Sequence, residues 1–212
     1  EGLSSGDFDG FDDQLFSSGL FWISFLALWI FVFVSFAGMV VNWHRFVLVE
    51  EYPGWWTSPF RSNHLLSYVL LTIGIGVLCT LGGGLIGAIS GGISAVAGQP
   101  VMFFLIFFGL GLPAYVLAVR MMLCLPSRAI GEPMTFSEAV LKTKGAFWTI
   151  LVAVLCVLVF SVLLGLLEDA ITALSGFLGV LTSVAFLPFN MLLFASMLTT
   201  FYGYFIEDRD LM

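Results

Sequence analysis

The feature that most constrains this chain is a series of five long apolar stretches separated by short polar segments. They cover about residues 19–41, 64–90, 101–125, 145–167 and 177–205, and Arg120 is the only charged residue within them. A helix that crosses a bilayer needs about 20 consecutive apolar residues, so each stretch is long enough. Only 10% of the 212 residues are charged, whereas soluble domains are about 25% charged. We therefore predict an all-α, polytopic transmembrane helix bundle.

The basic residues fall on one side of this predicted topology. Arg45 and Arg61 follow the first span, Arg128, Lys142 and Lys144 follow the third, and Arg209 follows the last. Residues 1–17, 91–99 and 168–176 contain no Lys or Arg. Because short loops rich in Lys and Arg stay in the cytoplasm, we predict that the loops after spans one, three and five and the tail 207–212 are cytoplasmic. The acidic flank 1–17 would then lie outside, which predicts a sixth span before Glu1.

The loop between the third and fourth spans contains the clearest helix-start signal. Thr135 and Glu138 have the spacing of a capping box, and Met134 and Ala139 are placed for a hydrophobic staple. Apolar residues then recur at helical spacing. We predict a short amphipathic helix over about residues 135–144, on the cytoplasmic membrane surface.

The stretch from Arg120 to Trp148 also carries a family resemblance. It reads RMMLCLPSRAIGEPMTFSEAVLKTKGAFW: a Leu-Pro helix end, a Glu-Pro turn, a Ser-Glu-Ala helix and a Lys-Gly-x-Phe-Trp start of the next span. In this pattern the chain resembles a bacterial integral membrane superfamily that includes the membrane domain of some glycerophosphodiester phosphodiesterases and stand-alone members of unknown role. The segments WHRFVLVEEYPG and LTTFYGYFIEDR are similar to the same superfamily. The resemblance implies a bacterial inner membrane, a sixth span and no catalytic residues, because the soluble phosphodiesterase domain is absent from this sequence.

The second half of span two is rich in glycine. Gly83, Gly87 and Gly91 recur every four residues on one helical face, and Ala88 and Gly92 belong to the neighbouring row. Small residues at this spacing let another helix approach closely. The pattern predicts a helix-packing surface, and the partner helix can belong to this chain or to another subunit.

The candidate sites are the proline positions within the spans and the basic residues. Pro113 should interrupt span three, and Pro188 with Asn190 should interrupt span five at a similar depth. Broken helices at mid-membrane are where many transporters bind substrates, although proline kinks are also common in ordinary membrane helices. Arg120 should snorkel to the headgroups or pair with Glu50, Glu51 or Glu132, and the alternative is a phosphate-binding role. Arg45, Arg61, Arg128, Lys142 and Lys144 are further candidates for headgroup contacts or ion pairs.

The only two histidines are His44 and His64. We interpret them as interfacial polar residues, and the alternative is a ligand pair for a haem-type group. The three cysteines have neither metal-ligand nor disulfide spacing. The sequence therefore predicts no metal and no cofactor, although bound lipid is expected.

These observations limit the classes of function. The sequence contains no recognisable nucleophile set, phosphate-binding loop or mid-membrane acid pair. It also lacks the basic patch that a nucleic-acid partner requires. We expect a non-enzymatic inner-membrane protein that is an accessory or scaffolding subunit of a larger complex. The alternative is a passive transporter of small molecules or lipids, or a lipid-binding membrane protein.

Overall fold

The computed structural model describes residues 19–52 and 63–209, and within these ranges the chain forms helices and turns without a strand. In chain order the helices are α1 (Gly19–Val49), α2 (Asn63–Ala97), α3 (Pro100–Met122), α4 (Cys124–Ile130), α5 (Phe136–Lys142), α6 (Phe147–Leu174) and α7 (Gly176–Phe205). Five segments are long and apolar enough to cross a membrane, α3 and α4 together forming one of them. The predicted polytopic bundle is confirmed. The flank 1–17 and Arg61 lie outside the described residues.

Two short turns organise the long helices into pairs. Residues 98–99 connect α2 to α3, with Gly98 at a φ of +64°, and Ser175 alone separates α6 from α7. Helix α1 packs against α2 and α7 and so joins the two pairs, while α3 contacts α6. The short helix α4 packs against α1, α2 and α7, and α5 packs against α3.

Helix packing is concentrated at one end of the bundle, which we call the basic end. It comprises the C-terminal parts of α1, α3 and α7, the short helices α4 and α5, and the starts of α2 and α6. Its fully buried side chains include Val119, Leu123, Ala129, Ala139 and Ile150, each 0% exposed. Because lipid tails remove the hydrophobic force between membrane helices, close packing and polar contacts must hold such an end together.

The opposite half of the bundle, which we call the far end, is loosely packed. Large apolar side chains there are mostly exposed, for example Trp22 at 56%, Leu85 at 63%, Leu163 at 57% and Leu181 at 51%. Ser90 and Gly179 are buried exceptions. The far halves of the helices therefore present their apolar surface to the bilayer or to another membrane protein.

Several helices are longer than predicted. Helix α1 continues to Val49 instead of ending near residue 41, and α2 continues to Ala97 instead of residue 90. Helix α6 passes through Glu168 and Asp169 to Leu174. Within it, the Glu168 carboxylate accepts a hydrogen bond from Ser183 of α7.

The predicted interruptions at Pro113 and Pro188 are wrong, and Pro188 lies inside the continuous helix α7. Helix α3 is continuous from Pro100 to Met122 with Pro113 inside it, and the break instead occurs at Leu123, between α3 and α4. Its physical cause is Pro126, which has no N–H to donate to the carbonyl of Met122 one turn earlier. The helical path resumes as α4, so the third span does not end at residue 125.

A short helix is confirmed at the predicted place as α5, although its last residue is Lys142. Thr135 is the N-cap: its hydroxyl accepts from the Glu138 N–H at 3.3 Å, and the Glu138 carboxylate accepts from the Thr135 N–H at 2.7 Å. These bonds form the predicted capping box. Hydrogen bonds from the Thr135 backbone and hydroxyl lower the pKa of the Glu138 carboxyl below its ordinary value.

Candidate functional site at the basic end

Arg120, the only charged residue within a predicted span, forms hydrogen bonds with other residues of the protein. Its Nε donates to Thr143 Oγ1 at 2.6 Å, and its Nη2 donates to the Val140 carbonyl. Thr143 in turn donates to the Ala139 carbonyl at 2.7 Å. The guanidinium therefore satisfies the C-terminal end of α5, where helix carbonyls have no partner within the helix. The expected ion pair with an acid does not occur among the described residues.

Arg45 has the same role at the end of α4. Its Nη1 donates to the Ala129 carbonyl at 3.0 Å, in the last turn of that helix. Its Nε donates to Glu51 at 2.7 Å, and Nη2 contacts the same carboxylate. Arg45 thus connects α1 to α4, and Glu51 neutralises its charge.

Two further cations bind helix ends. Lys142 Nζ donates to the Ile206 carbonyl just past α7 at 3.3 Å. Arg209 Nη2 donates to the Leu48 carbonyl in the last turn of α1 at 2.7 Å and also pairs with Glu207. Each of the four basic residues Arg45, Arg120, Lys142 and Arg209 therefore binds the C-terminal carbonyls of a different helix.

This arrangement follows from helix electrostatics. The last carbonyls of a helix carry partial negative charge, and a cation there stabilises it by about 0.3–1 kcal/mol at an exposed position and more when partly buried. A carbonyl that is buried away from water without a partner is costly, so these bonds also satisfy helix ends that the packing removes from water. The basic end thus contains a network of cations and helix ends, which we call the capping network.

The C-terminus of α4 is closed by a Schellman motif next to His64. Gly131 has a φ of +90°, its N–H donates to the Arg128 carbonyl at 3.3 Å, and the Glu132 N–H donates to the Ser127 carbonyl at 2.9 Å. A Cβ on Gly131 would lie 2.9 Å from the His64 ring. Glycine is required both by the backbone and by this contact.

Two basic residues take no part in the capping network. Lys144 is exposed, and Arg128 is partly exposed but its Nε is buried. Neither makes an ion pair or a hydrogen bond within the described part of the chain, and Arg128 Nε has no partner. The structure therefore separates the basic residues into two groups that the sequence could not distinguish.

His44 is fully buried, so the interpretation of it as an interfacial residue is wrong. It is 0% exposed, and its Nδ1 lies 2.7 Å from Thr199 Oγ1. Since the Thr199 hydroxyl donates to the Ala195 carbonyl at 2.7 Å, it accepts from Nδ1–H. The other ring nitrogen, Nε2, is buried without a hydrogen-bond partner among the described residues. The contact connects α1 to α7.

The described chain covers the glycine face of α2 only in part: Gly87 and Gly91 are half-buried, and Ser90 on the same face is fully buried. A Cβ added to Gly83, Gly87, Gly91 or Gly92 would meet nothing within 4 Å, and Ala88 is exposed. On the side of Gly83 a groove of about 600 Å³ opens between α2 and α3. Its lining is apolar and includes Cys79, Gly82, Phe107, Gly111 and Tyr115.

The residues of the predicted mid-membrane site lie on separate helix pairs. Pro113 is exposed on α3 beside the groove, whereas Pro188 and Asn190 are on α7. Asn190 Nδ2 donates to the Phe186 carbonyl of its own helix at 3.2 Å, and its Oδ1 is buried without a partner in the described ranges. Its side chain does not reach the carbonyl that Pro188 leaves free, that of Val184.

No metal centre is formed by the described residues. They contain no group of three or more His, Cys, Asp or Glu side chains that could hold an ion. Cys79, Cys124 and Cys156 are free thiols. His64 packs on Gly131, while His44 bonds to Thr199.

Comparison of this chain with protein-family models, curated proteins and solved structures gives no match. The resemblance to the phosphodiesterase-associated membrane superfamily therefore stays a prediction based on the motifs given above.

Proposed function

We propose that this chain is a non-enzymatic inner-membrane protein that serves as an accessory or scaffolding subunit of a larger membrane complex. In this proposal the basic end and its loops face the cytoplasm of a bacterium. The far half of the bundle receives a transmembrane helix of another subunit. The proposal gives each half of the bundle a separate role, one structural and one in assembly.

The observation that carries the proposal is the open space beside the glycines of α2. Gly83, Gly87 and Gly91 have open space where a side chain would project, in a helix whose first half is packed against α1 and α4. Small residues four apart permit the close backbone approach that stabilises helix pairs in membranes. An acyl chain is flexible and does not require this spacing, so the pattern favours a helix as the occupant.

Native purification in a mild detergent tests this proposal. We expect the chain to co-purify with a second membrane protein at fixed stoichiometry and to lose it in Gly87→Leu. Gly74→Leu is the matched control, because Gly74 is exposed on the opposite face of α2 and also has nothing within 4 Å. A lone monomer, or a partner that survives Gly87→Leu, would overturn the proposal.

A second candidate function, lipid binding, is favoured by the groove between α2 and α3. Its volume of about 600 Å³ lies within the range of known ligand sites, which is roughly 300–1,000 Å³. The lining is apolar, so an acyl chain suits it better than a polar solute. Gly111→Leu places a side chain in this space. We expect that variant to lose a co-purifying lipid that Gly109→Leu, elsewhere on α3, retains, and equal lipid content would exclude the groove as the binding site.

A further inference from the structure

We propose that Arg128 binds the phosphate group of an anionic ligand at the basic end, and that an anionic phospholipid supplies this phosphate. The evidence is the position of the side chain and the absence of a partner for it among the described residues. The proposal is independent of whether α2 contacts a second subunit.

Arg128 is held by a rigid and buried element. In α4, Cys124, Leu125, Pro126, Ser127 and Ala129 are buried, and the helix packs against α1, α2 and α7. The Schellman motif fixes the chain immediately after Arg128. Its side chain therefore leaves a fixed backbone in the last turn of α4, as a positioned binding group requires.

The guanidinium has no counter-ion within the described part of the protein. In these ranges the ion pairs are Arg45 with Glu51 and Arg209 with Glu207. Arg128 Nε is buried and unpartnered. The Nε–H of Arg128 has therefore lost water without gaining a partner, which is unfavourable, while the rest of the side chain is partly exposed. An external anion would supply the missing partner of the Arg128 guanidinium.

The neighbouring acids do not replace that anion. Glu138 lies in the same region as Arg128, since both charges act on the Cys124 thiol. Its carboxylate, however, already accepts hydrogen bonds from the N–H and the hydroxyl of Thr135. Glu132 is four residues after Arg128 and exposed, and the left-handed turn at Gly131 separates it from the helix. Glu132 therefore acts only as a nearby negative charge that weakens anion binding.

Phosphate is the anion that fits this position. A guanidinium presents parallel N–H groups that match the oxygens of phosphate, and such charge-assisted bonds are stronger than neutral ones. The basic end carries the Lys and Arg residues that normally lie near anionic headgroups. Arg45, Arg120, Lys142 and Arg209 already bind helix carbonyls. Of the two remaining described cations of this end, Lys144 is exposed, and only Arg128 has a buried nitrogen without a partner among the described residues.

Native mass spectrometry of the full chain tests this site. The detergent-purified protein is incubated with phosphatidylglycerol, with phosphatidylcholine or with inorganic phosphate. We expect one preferentially retained phosphatidylglycerol, and Arg128→Gln should weaken its binding by about tenfold or more, the effect of one charge-assisted contact. Lys144→Gln removes the same charge from an exposed position and should leave binding nearly unchanged. Glu132→Gln should strengthen it, because it removes the opposing charge.

The other outcomes are equally informative. Displacement of the lipid by millimolar inorganic phosphate would assign the same site to free phosphate. Equal losses in Arg128→Gln and Lys144→Gln would indicate general surface attraction and overturn the proposal, as would equal retention of the two lipids by the wild-type chain. Arg128→Lys, which keeps the charge but lacks the planar fork, should bind with intermediate strength and replaces Arg128→Gln if that variant does not fold.

Discussion

Arg120 Nε lies 2.6 Å from Thr143 Oγ1, so a charge near the end of the third span is neutralised by the end of a short surface helix. The same guanidinium donates to the Val140 carbonyl, and together these bonds join α3 to α5. A membrane charge without an evident partner is usually taken as a functional residue. Here it has a structural role, which it shares with Arg45, Lys142 and Arg209.

The first prediction concerns this joint. Arg120→Met should lower the free energy of unfolding by about 2 kcal/mol, because it removes charge-assisted hydrogen bonds at a partly buried site. Lys144→Met removes a cation from an exposed position and should change stability by less than about 0.5 kcal/mol. Thermal unfolding in detergent measures both. Equal destabilisation of the two variants would show that charge alone, rather than the bonds to α5, is responsible.

The second prediction separates backbone strain from contact at two glycines. Gly131 has a φ of +90° and Gly145 a φ of +88°, but of the two only Gly131 has a close neighbour, the His64 ring, which would lie 2.9 Å from an added Cβ. Replacing either by Ala should cost about 1–2 kcal/mol for the left-handed backbone. Gly131→Ala should cost more, and adding His64→Ala should recover the excess. If the two single variants unfold at the same temperature, the His64 contact is unimportant.

The third prediction tests the buried contact between α1 and α7. Thr199→Val leaves the His44 Nδ1–H without an acceptor in a fully buried position, which should cost about 1–3 kcal/mol. Thr200 is the adjacent control, because it is exposed and its hydroxyl bonds only to the Ser196 carbonyl of its own helix. Thr200→Val should therefore be nearly neutral. Chemical unfolding of the two variants side by side provides the measurement.

The fourth prediction is a pH dependence of α5. The folded-state pKa of Glu138 is lowered, mainly by the Thr135 backbone hydrogen bond. A lowered carboxyl pKa stabilises the fold above the unfolded-state pKa of about 4.5, and this contribution is lost as the pH falls through the lower folded-state value.

Glu138→Gln keeps an acceptor for the Thr135 N–H but cannot titrate. The stability difference between wild type and this variant should therefore decrease as the pH is lowered from about 6 to about 3. Glu132→Gln, at an exposed acid without a hydrogen bond from the described residues, is the control. A constant wild-type to Glu138→Gln difference over this range would contradict the assignment, and unfolding followed by circular dichroism gives the values.

A structural feature could be predicted from the sequence where the residues that form it are close together in the chain. The five spans and the Thr135–Glu138 capping box are each formed by residues that are close together in the sequence, and the sequence predicts both. Arg45 and Arg120 each bind a backbone carbonyl of a helix distant in sequence. Every residue has a backbone carbonyl, so the sequence does not show which one is bound. The Thr199 hydroxyl bonded to His44 is 155 positions away, and no local pattern identifies it.

The proline and glycine signals show a related limit. Pro113, Pro126 and Pro188 are equally visible in the sequence, yet only Pro126 is associated with a break, and the other two lie inside continuous helices. The glycine face of α2 was correctly identified as small and periodic. Whether another helix covers it depends on the whole bundle, and in the described part of this chain space is left beside Gly83, Gly87 and Gly91, while Ser90 on the same face is buried.

The most direct test of the scaffold proposal is site-specific photo-crosslinking in intact membranes. A photoreactive amino acid is placed at position 87 on the glycine face of α2, or at position 74 on the opposite face of the same helix. The proposal predicts that position 87 gives one discrete adduct with a different membrane protein, while position 74 gives only lipid adducts. Lipid adducts alone from both positions, or an adduct of two copies of this chain from position 87, would contradict it.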